Sequence, residues 1–404
     1  MNRILLYAFA LMLLFVSGCN NDDTDLPGEI TTYPIAGLFS LTGNWSSLGV
    51  TSKEVLSIAV KDVNTYLEDR GSLIRFSSTV YDTQLDTSLA KTHFNTAINT
   101  LQAKFIIGPQ SSAEVGALLE MANSNDILLI SQGSTASSLA LQEDAVFRFC
   151  PGDGPEGQAI SRTAYQLGKR MLITLARNDA GNLGLQSSVT SSFTALGGQI
   201  DALPPYATTQ MDFTAILQEL RTKIQQHVAT YGNLGVGVYL ASFDECTQLF
   251  NQAYNDPILS SVNWYGGDGV VLSAALLADS EAKEFAVAVS FFAPNFGLPT
   301  QEHPELSSLV SEVHTTTGID PDAYAISVYD AVWILATTIA DFPETTTNFN
   351  SLKARFYEQA NRYNGLSGPV FLDVNGDRAN GAFDYWGIVN EGGNFIWKVV
   401  GKSN

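Results

Sequence analysis

The chain has 404 residues, enough for two domains of ordinary size. It is 45% hydrophobic and 10% aromatic, so it can build packed cores, yet only 15% of it is charged and the balance is −20. Acidity of that size repels phosphate backbones and weighs against a nucleic-acid partner.

In chain order, Arg3 is followed by an apolar run from Ile4 to Val16, ILLYAFALMLLFV. It is short for a membrane span and reads as the core of a signal peptide. The run ends in Val16-Ser-Gly-Cys19, which resembles a bacterial lipobox. The resemblance implies removal of residues 1–18 and lipidation of Cys19, and multiple acyl chains hold stably to a membrane. An ordinary secretory signal with an incidental cysteine is the plainer alternative. The polar residues that follow, to about residue 30, read as a tether. After residue 19 no stretch reads as a membrane span.

The rest of the chain alternates short aliphatic runs with helical patterns. Tyr33–Leu41 reads as a buried strand, and Thr51 to Glu54 (TSKE) as a capping box opening a helix. Ile74–Asp82 reads as a strand, about Asp86–Leu101 as a helix, Phe105–Gly108 as a strand, Ser112–Ala122 as a helix and Ile127–Ser131 as a strand. Cys150 to Gly157 (CPGDGPEG) reads as a crossing segment or linker. A second series follows: a helix to about Lys169, a strand at Met171–Ala176, a helix near Leu185–Leu196, a strand at Leu234–Ala241, a helix at Glu245–Tyr254 and a strand at Val262–Gly269. Ser327–Phe342 reads as a helix, and Gly368–Val400 as β-hairpins with Asn-Gly and Gly-Gly turns. Repeated β-α-β of this kind predicts an α/β protein of two doubly wound lobes with parallel sheets.

Catalytic apparatus is hard to find. The four histidines, His93, His227, His303 and His314, form no zinc-type spacing. There is no nucleophile elbow, no P-loop and no G-x-G-x-x-G after an expected strand. Asp373, Asn375 and Asp377 resemble the opening of a calcium loop, but Asp384 stands where the closing glutamate belongs, so a hairpin turn is the better reading. No metal or other cofactor is expected. Cys150 and Cys246 fit either a disulfide or two small buried side chains.

What recurs is a strand that ends in small hydroxyl or glycine residues. Ser111 to Glu114 (SSAE) fits a capping box with Ser111 as N-cap, and the helix start offers N–H donors to an anion. Leu129 to Ser138 (LISQGSTASS) repeats the pattern and is expected to open a helix too. Ligands of open parallel sheets sit outside the carboxyl ends of strands, so both places suit a small carboxylate. Asp268, between glycines in WYGGDGV, offers the opposite charge to an ammonium. Taken singly, each is also explained as a helix cap or a turn.

In order, FIIGPQSSAEV, ILLISQGSTASSLA, FRFCPGDGPEGQAIS, YGGDGV, AYAISVYDAVWILA and GLSGPVFLDVNGDR resemble the type I periplasmic binding proteins. The nearest branch is the leucine/isoleucine/valine-binding family that feeds ABC importers. The likeness runs from about Tyr33 to Val400. It implies two lobes joined by a three-crossing hinge, with crossings near Phe149, Phe292 and Gly368. The lobes are then 31–148 with 292–367, and 149–291 with 368–404. It also implies that Ser112, Gly133 and Thr135 hold an α-carboxylate, that Asp268 holds an α-ammonium, and that Tyr324 lines the side-chain pocket. The sequence departs from the family at Leu48, with Trp45 close by, and at Leu183, which leaves the ligand's side-chain class open.

The function implied is that of a lipid-anchored extracytoplasmic receptor. It would deliver a small zwitterionic amino acid or related amide to an ABC permease. A ligand-sensing or signalling partner with an altered cleft is the alternative.

Overall fold

The computed structural model describes residues 29–299, 304–379 and 381–403. The expected leader, Cys19 and the tether up to residue 28 lie outside the described residues, as does His303.

The first sheet has five parallel strands: β1 (Thr31–Phe39), β2 (Ile74–Asp82), β3 (Phe105–Ile107), β4 (Leu128–Ser131) and β5 (Val146–Arg148). Their order is β2-β1-β3-β4-β5. The second series begins with β6 (Met171–Ala176), β7 (Gln199–Ala202), β8 (Val236–Ala241), β9 (Asn263–Gly266) and β10 (Phe292–Phe296). A two-residue pair follows, β11 (Asn364–Gly365) with β12 (Gly368–Pro369), and then the hairpin of β13 (Phe383–Glu391) and β14 (Asn394–Lys402). The second sheet runs β14-β13-β10-β9-β8-β6-β7, with β13 antiparallel to β10. Both sheets therefore contain the same parallel core order, and each has one place where the order reverses. That place lies between β1 and β3 in the first sheet and between β6 and β8 in the second. It is where open α/β sheets bind ligands.

Helices cover both faces. Helices α1 (Ser46–Asp69), α2 (Thr87–Asn99) and α3 (Ser112–Ser124) belong to the first lobe. The second lobe carries α4 (Asp153–Gln166), α5 (Ala180–Ala195), α6 (Thr214–Gly235), α7 (Cys246–Ala253), α8 (Ala274–Ala278) and α9 (Ser280–Ala288). The chain then returns to the first lobe with α10 (Pro304–Thr317), α11 (Ala323–Asp341) and α12 (Phe349–Ala360).

Continuous aliphatic runs suit strands covered on both sides, because successive side chains point to opposite faces. Ile35, Phe105, Ile107, Leu128 and Ile130 face the core built by α1 and α11, while Ala36, Ile106 and Leu129 face α2 and α3. In the second lobe Ile173, Val238 and Trp264 face one core, and Leu172, Tyr239 and Tyr265 face the other. Contrary to the expectation that no later stretch matches a span, α11 is long and apolar enough to cross a membrane; it is buried here in the first-lobe core. Cys150 and Cys246 are both buried and unpaired.

Two expected helix starts are corrected. Thr51 lies inside α1, where its hydroxyl donates to the Ser47 and Leu48 carbonyls at 3.0 and 3.1 Å. The helix begins five residues earlier, after Trp45, which has φ 58° and no side-chain cap. The run after β4 opens no α-helix either; it makes a three-residue 3-10 turn at Ser137–Leu139. Its hydroxyls instead staple a loop, with Ser131 donating to the Pro109 carbonyl at 2.6 Å and the Ser134 N–H donating to Ser131 at 3.1 Å.

The lobe boundaries also differ from those expected. Phe292–Phe296 is paired into the second sheet, so the second crossing follows residue 296 and not 291. Val370 and Leu372 pack in the first-lobe core, so the third crossing follows Arg378 and is not at Gly368. Arg378 ties the crossings together. Its guanidinium donates to the Phe149, Ser367 and Pro369 carbonyls and stacks 4.3 Å from the Phe296 ring. A Cβ on Gly381 would stand 2.7 Å from Phe296 and 2.8 Å from Pro151. All three strands of the hinge meet at that glycine.

Candidate functional site

The two reversal points face one another across the lobes. Trp45, Ser112, Gly133 and Thr135 from the first lobe line one small cavity with Gly181, Asn182, Leu185, Phe243 and Asp268 from the second. Five of the seven residues singled out from the sequence therefore come together. Tyr324 and Ser111 do not line the cavity. Tyr324 is fully buried at the start of α11, and its hydroxyl donates to Asp268 Oδ2 across the lobes at 2.8 Å. It is a partner of the acid and not a wall of the side-chain pocket. Ser111 is the N-cap of α3, and its hydroxyl donates to Glu114 Oε2 at 2.5 Å.

The first-lobe half is rigidly held. Ser112 Oγ accepts from the Ala136 N–H and the Ser134 hydroxyl, each at 3.1 Å. Arg148, itself paired to Asp377, donates to the Ala136 carbonyl at 2.6 Å. Gly133 is required by close approach: a Cβ there would lie 3.1 Å from the Trp45 indole and 3.0 Å from the Gln110 carbonyl. Gly133 is thus covered by Trp45. That ring stacks on Phe243 of the other lobe with centroids 4.7 Å apart.

The second-lobe half is acidic and dry. Asp268 follows β9 in a 3-10 turn and is 4% exposed. Its backbone N–H donates to Glu156 Oε1 at 3.1 Å, and Glu156 is fully buried. Asp153 and Glu156 both sit in the first turn of α4, three apart and so on one face. Burial pushes Asp268 up to about 7, against the pull of the Tyr324 hydroxyl, with the Asp153 charge adding to the rise. Burial also pushes Glu156 up strongly, and the neighbouring Asp268 and Asp153 charges add to it. Asp153 is raised to about 6 by burial. Glu156 Oε2 and the Tyr239 hydroxyl are buried and find no hydrogen-bond partner among the described residues. Asp268 and Glu156, buried and with no ion pair among the described residues, are chemically suited to receive a cation. No group of three or more His, Cys, Asp or Glu that could hold a metal occurs among the described residues.

The lobes are closed. The Trp45 N–H donates to Asp244 Oδ2 at 2.7 Å, and the Ala274 N–H donates to the Ser47 hydroxyl at 3.0 Å. The cavity left between them is about 10 Å³, room for about one water.

A model of the receptor family ligand-binding region matches residues 51–391, most of the chain. The chain belongs to this family. An uncharacterised protein of Methanocaldococcus jannaschii is 29% identical over 410 residues, covering 96% of this chain and 94% of that one. Among solved structures, a leucine-binding protein of Thermotoga maritima superposes with TM-score 0.72 at 21% identity, covering 92% of this chain and 99% of that chain. A benzoate complex of an ABC-transporter solute-binding protein from R. palustris gives 0.72 at 17% identity, covering 93% and 96%. The fold of this receptor-family chain is thus that of the type I periplasmic binding proteins, which its paired, oppositely facing reversal points also display.

Sequence reading missed Asp153, Glu156, Asn182, Phe243 and Asp244. The two acids stood in a Gly- and Pro-rich run read as a linker. Their spacing of three was the available signal, since it places both on one side of a helix. Leu183 and Leu48, singled out as departures, do not line the cavity, whereas Leu185 does.

Proposed function

We propose that the protein is an extracytoplasmic solute receptor, anchored through Cys19, that presents a small amino acid or related amide to an ABC permease. The observation that carries this reading is the pairing within one cavity of a hydroxyl-rich loop, Ser112 with Gly133–Thr135, and the buried acid Asp268, whose backbone N–H donates to Glu156 behind it. Such a cleft is matched to a zwitterion, with a carboxylate toward the loop and an ammonium toward the acids. Ligand contacts to both lobes favour the closed arrangement over an open one. Because the closed cavity is so small, a ligand must part the Trp45–Phe243 stack, and a short side chain needs the least parting. One solved neighbour is named a leucine-binding protein and another was solved with benzoate; both named ligands carry a carboxylate, which supports the class but not the side chain.

The test is a calorimetric titration with the amino acids and short amides. The chosen ligand should lose more than about tenfold in affinity with Asp268→Asn and with Thr135→Val, because the first leaves the ligand ammonium and the second a carboxylate acceptor unpaired. Unchanged affinity in both variants would remove this cleft as the binding site.

A further inference from the structure

A second hollow, of about 680 Å³, lies on the other side of the second lobe from the cleft, near the amino ends of its parallel strands. The volume is in the range of small-molecule sites. Phe291, Phe292 and Ile388 give it an apolar floor. Leu167, Leu234 and Val400 stand at it 57%, 81% and 49% exposed, although large apolar groups are ordinarily kept from water. In a chain of net charge −20, its lining holds two lysines and no aspartate or glutamate. Lys402 is paired with Asp384 at 2.9 Å. Lys169 is only 1% exposed, and its ammonium donates to Asn263 Oδ1 at 2.7 Å, which uses one of three donors. Burial holds that ammonium down to about 8. The Tyr265 hydroxyl, on a residue 1% exposed, finds no hydrogen-bond partner among the described residues. A buried cation without a counter-charge and a buried hydroxyl without an acceptor are both costly, and one anionic oxygen pair relieves both.

We propose that this pocket is a second ligand site, separate from the cleft, for a monoanionic amphiphile: a carboxylate borne on an apolar chain or ring. The carboxylate sits at Lys169 and Tyr265, and the apolar body lies along Phe291, Phe292 and the exposed Leu234.

Calorimetry of the full chain with octanoate, octylamine and octanol tests it. Octanoate should bind, and octylamine should not. Lys169→Met and Tyr265→Phe should each weaken octanoate by about tenfold or more, the range for hydrogen bonds to a charged group. Asp268→Asn should leave octanoate binding unchanged. The proposal is overturned if octanoate does not bind, if octanol or octylamine binds as well as octanoate, if Lys169→Met has no effect, or if Asp268→Asn abolishes binding. Should Lys169→Met fail to fold by circular dichroism, Leu234→Asp serves in its place. That position is exposed, and the added negative charge should weaken octanoate by about fivefold; unchanged affinity there also overturns the proposal.

Discussion

Asp268 is held in a place where its charge is expensive. Burial, with the charges of Asp153 and Asp322 adding to it, raises it from 3.8 to about 7, and Asp268 forms no ion pair among the described residues. The sign of the consequence follows from linkage. Between about pH 4 and 7 the folded chain holds a proton on Asp268 that the unfolded chain has released, so stability falls as pH rises through that window. Glu156, raised in the same direction, adds to the fall. Without amino acid, the melting temperature should therefore drop between pH 5 and 8, and Asp268→Asn should flatten part of the drop by removing the buried ionisation. A saturating ammonium-bearing ligand should flatten it too, since the ion then has its partner. Thermal melts at four pH values check this, and an identical slope in wild type and Asp268→Asn would contradict it.

The start of α1 carries the closure. Trp45 adopts a left-handed backbone that non-glycine residues seldom take, and its N–H, which no intrahelical carbonyl could accept, is spent on Asp244. Ser47, the second residue of the helix, accepts from the Ala274 N–H at the start of α8. Replacing both partners, Ser47→Ala with Asp244→Asn, should cost the closed form about 1–3 kcal/mol and lower ligand affinity accordingly, because only the closed fraction binds tightly. Small-angle scattering should show a larger radius of gyration; no change in either would mean that these bonds do not hold the lobes together. The repeated β-α-β pattern was legible because fully buried strands such as Leu128–Ser131 write uninterrupted aliphatic runs. Ser112, Thr135 and Asp268 were legible because they stand just beyond such runs. Several elements were not, and two strands show why. The edge strand Gln199–Ala202 is half exposed and writes no apolar run. Phe292–Phe296 gains its sheet membership from Phe383–Gly387, some ninety residues later. Glu156 and Phe243 became site residues only through packing between segments distant in the chain, which no local pattern records.

For the molecule as a whole, the hinge is more constrained than three passing strands require. Arg378 reaches each crossing, and Gly297 donates to the Ala382 carbonyl at 2.8 Å, joining the second crossing to the third. Gly381→Ala would drive a methyl between Phe296 and Pro151, closer than carbon atoms tolerate. The expected result is a changed angle between lobes, read as altered scattering and at least about a threefold change in ligand affinity at the distant cleft; unchanged values would show that the hinge absorbs the methyl locally. The stack of Trp45 on Phe243 has a consequence of another kind. The other tryptophans, at 264, 333, 386 and 397, each belong to one lobe, whereas the indole of Trp45 is covered by both. Parting the lobes would bring that one ring into water and redden its emission, so the protein carries its own optical gauge of opening, readable in real time without any attached dye.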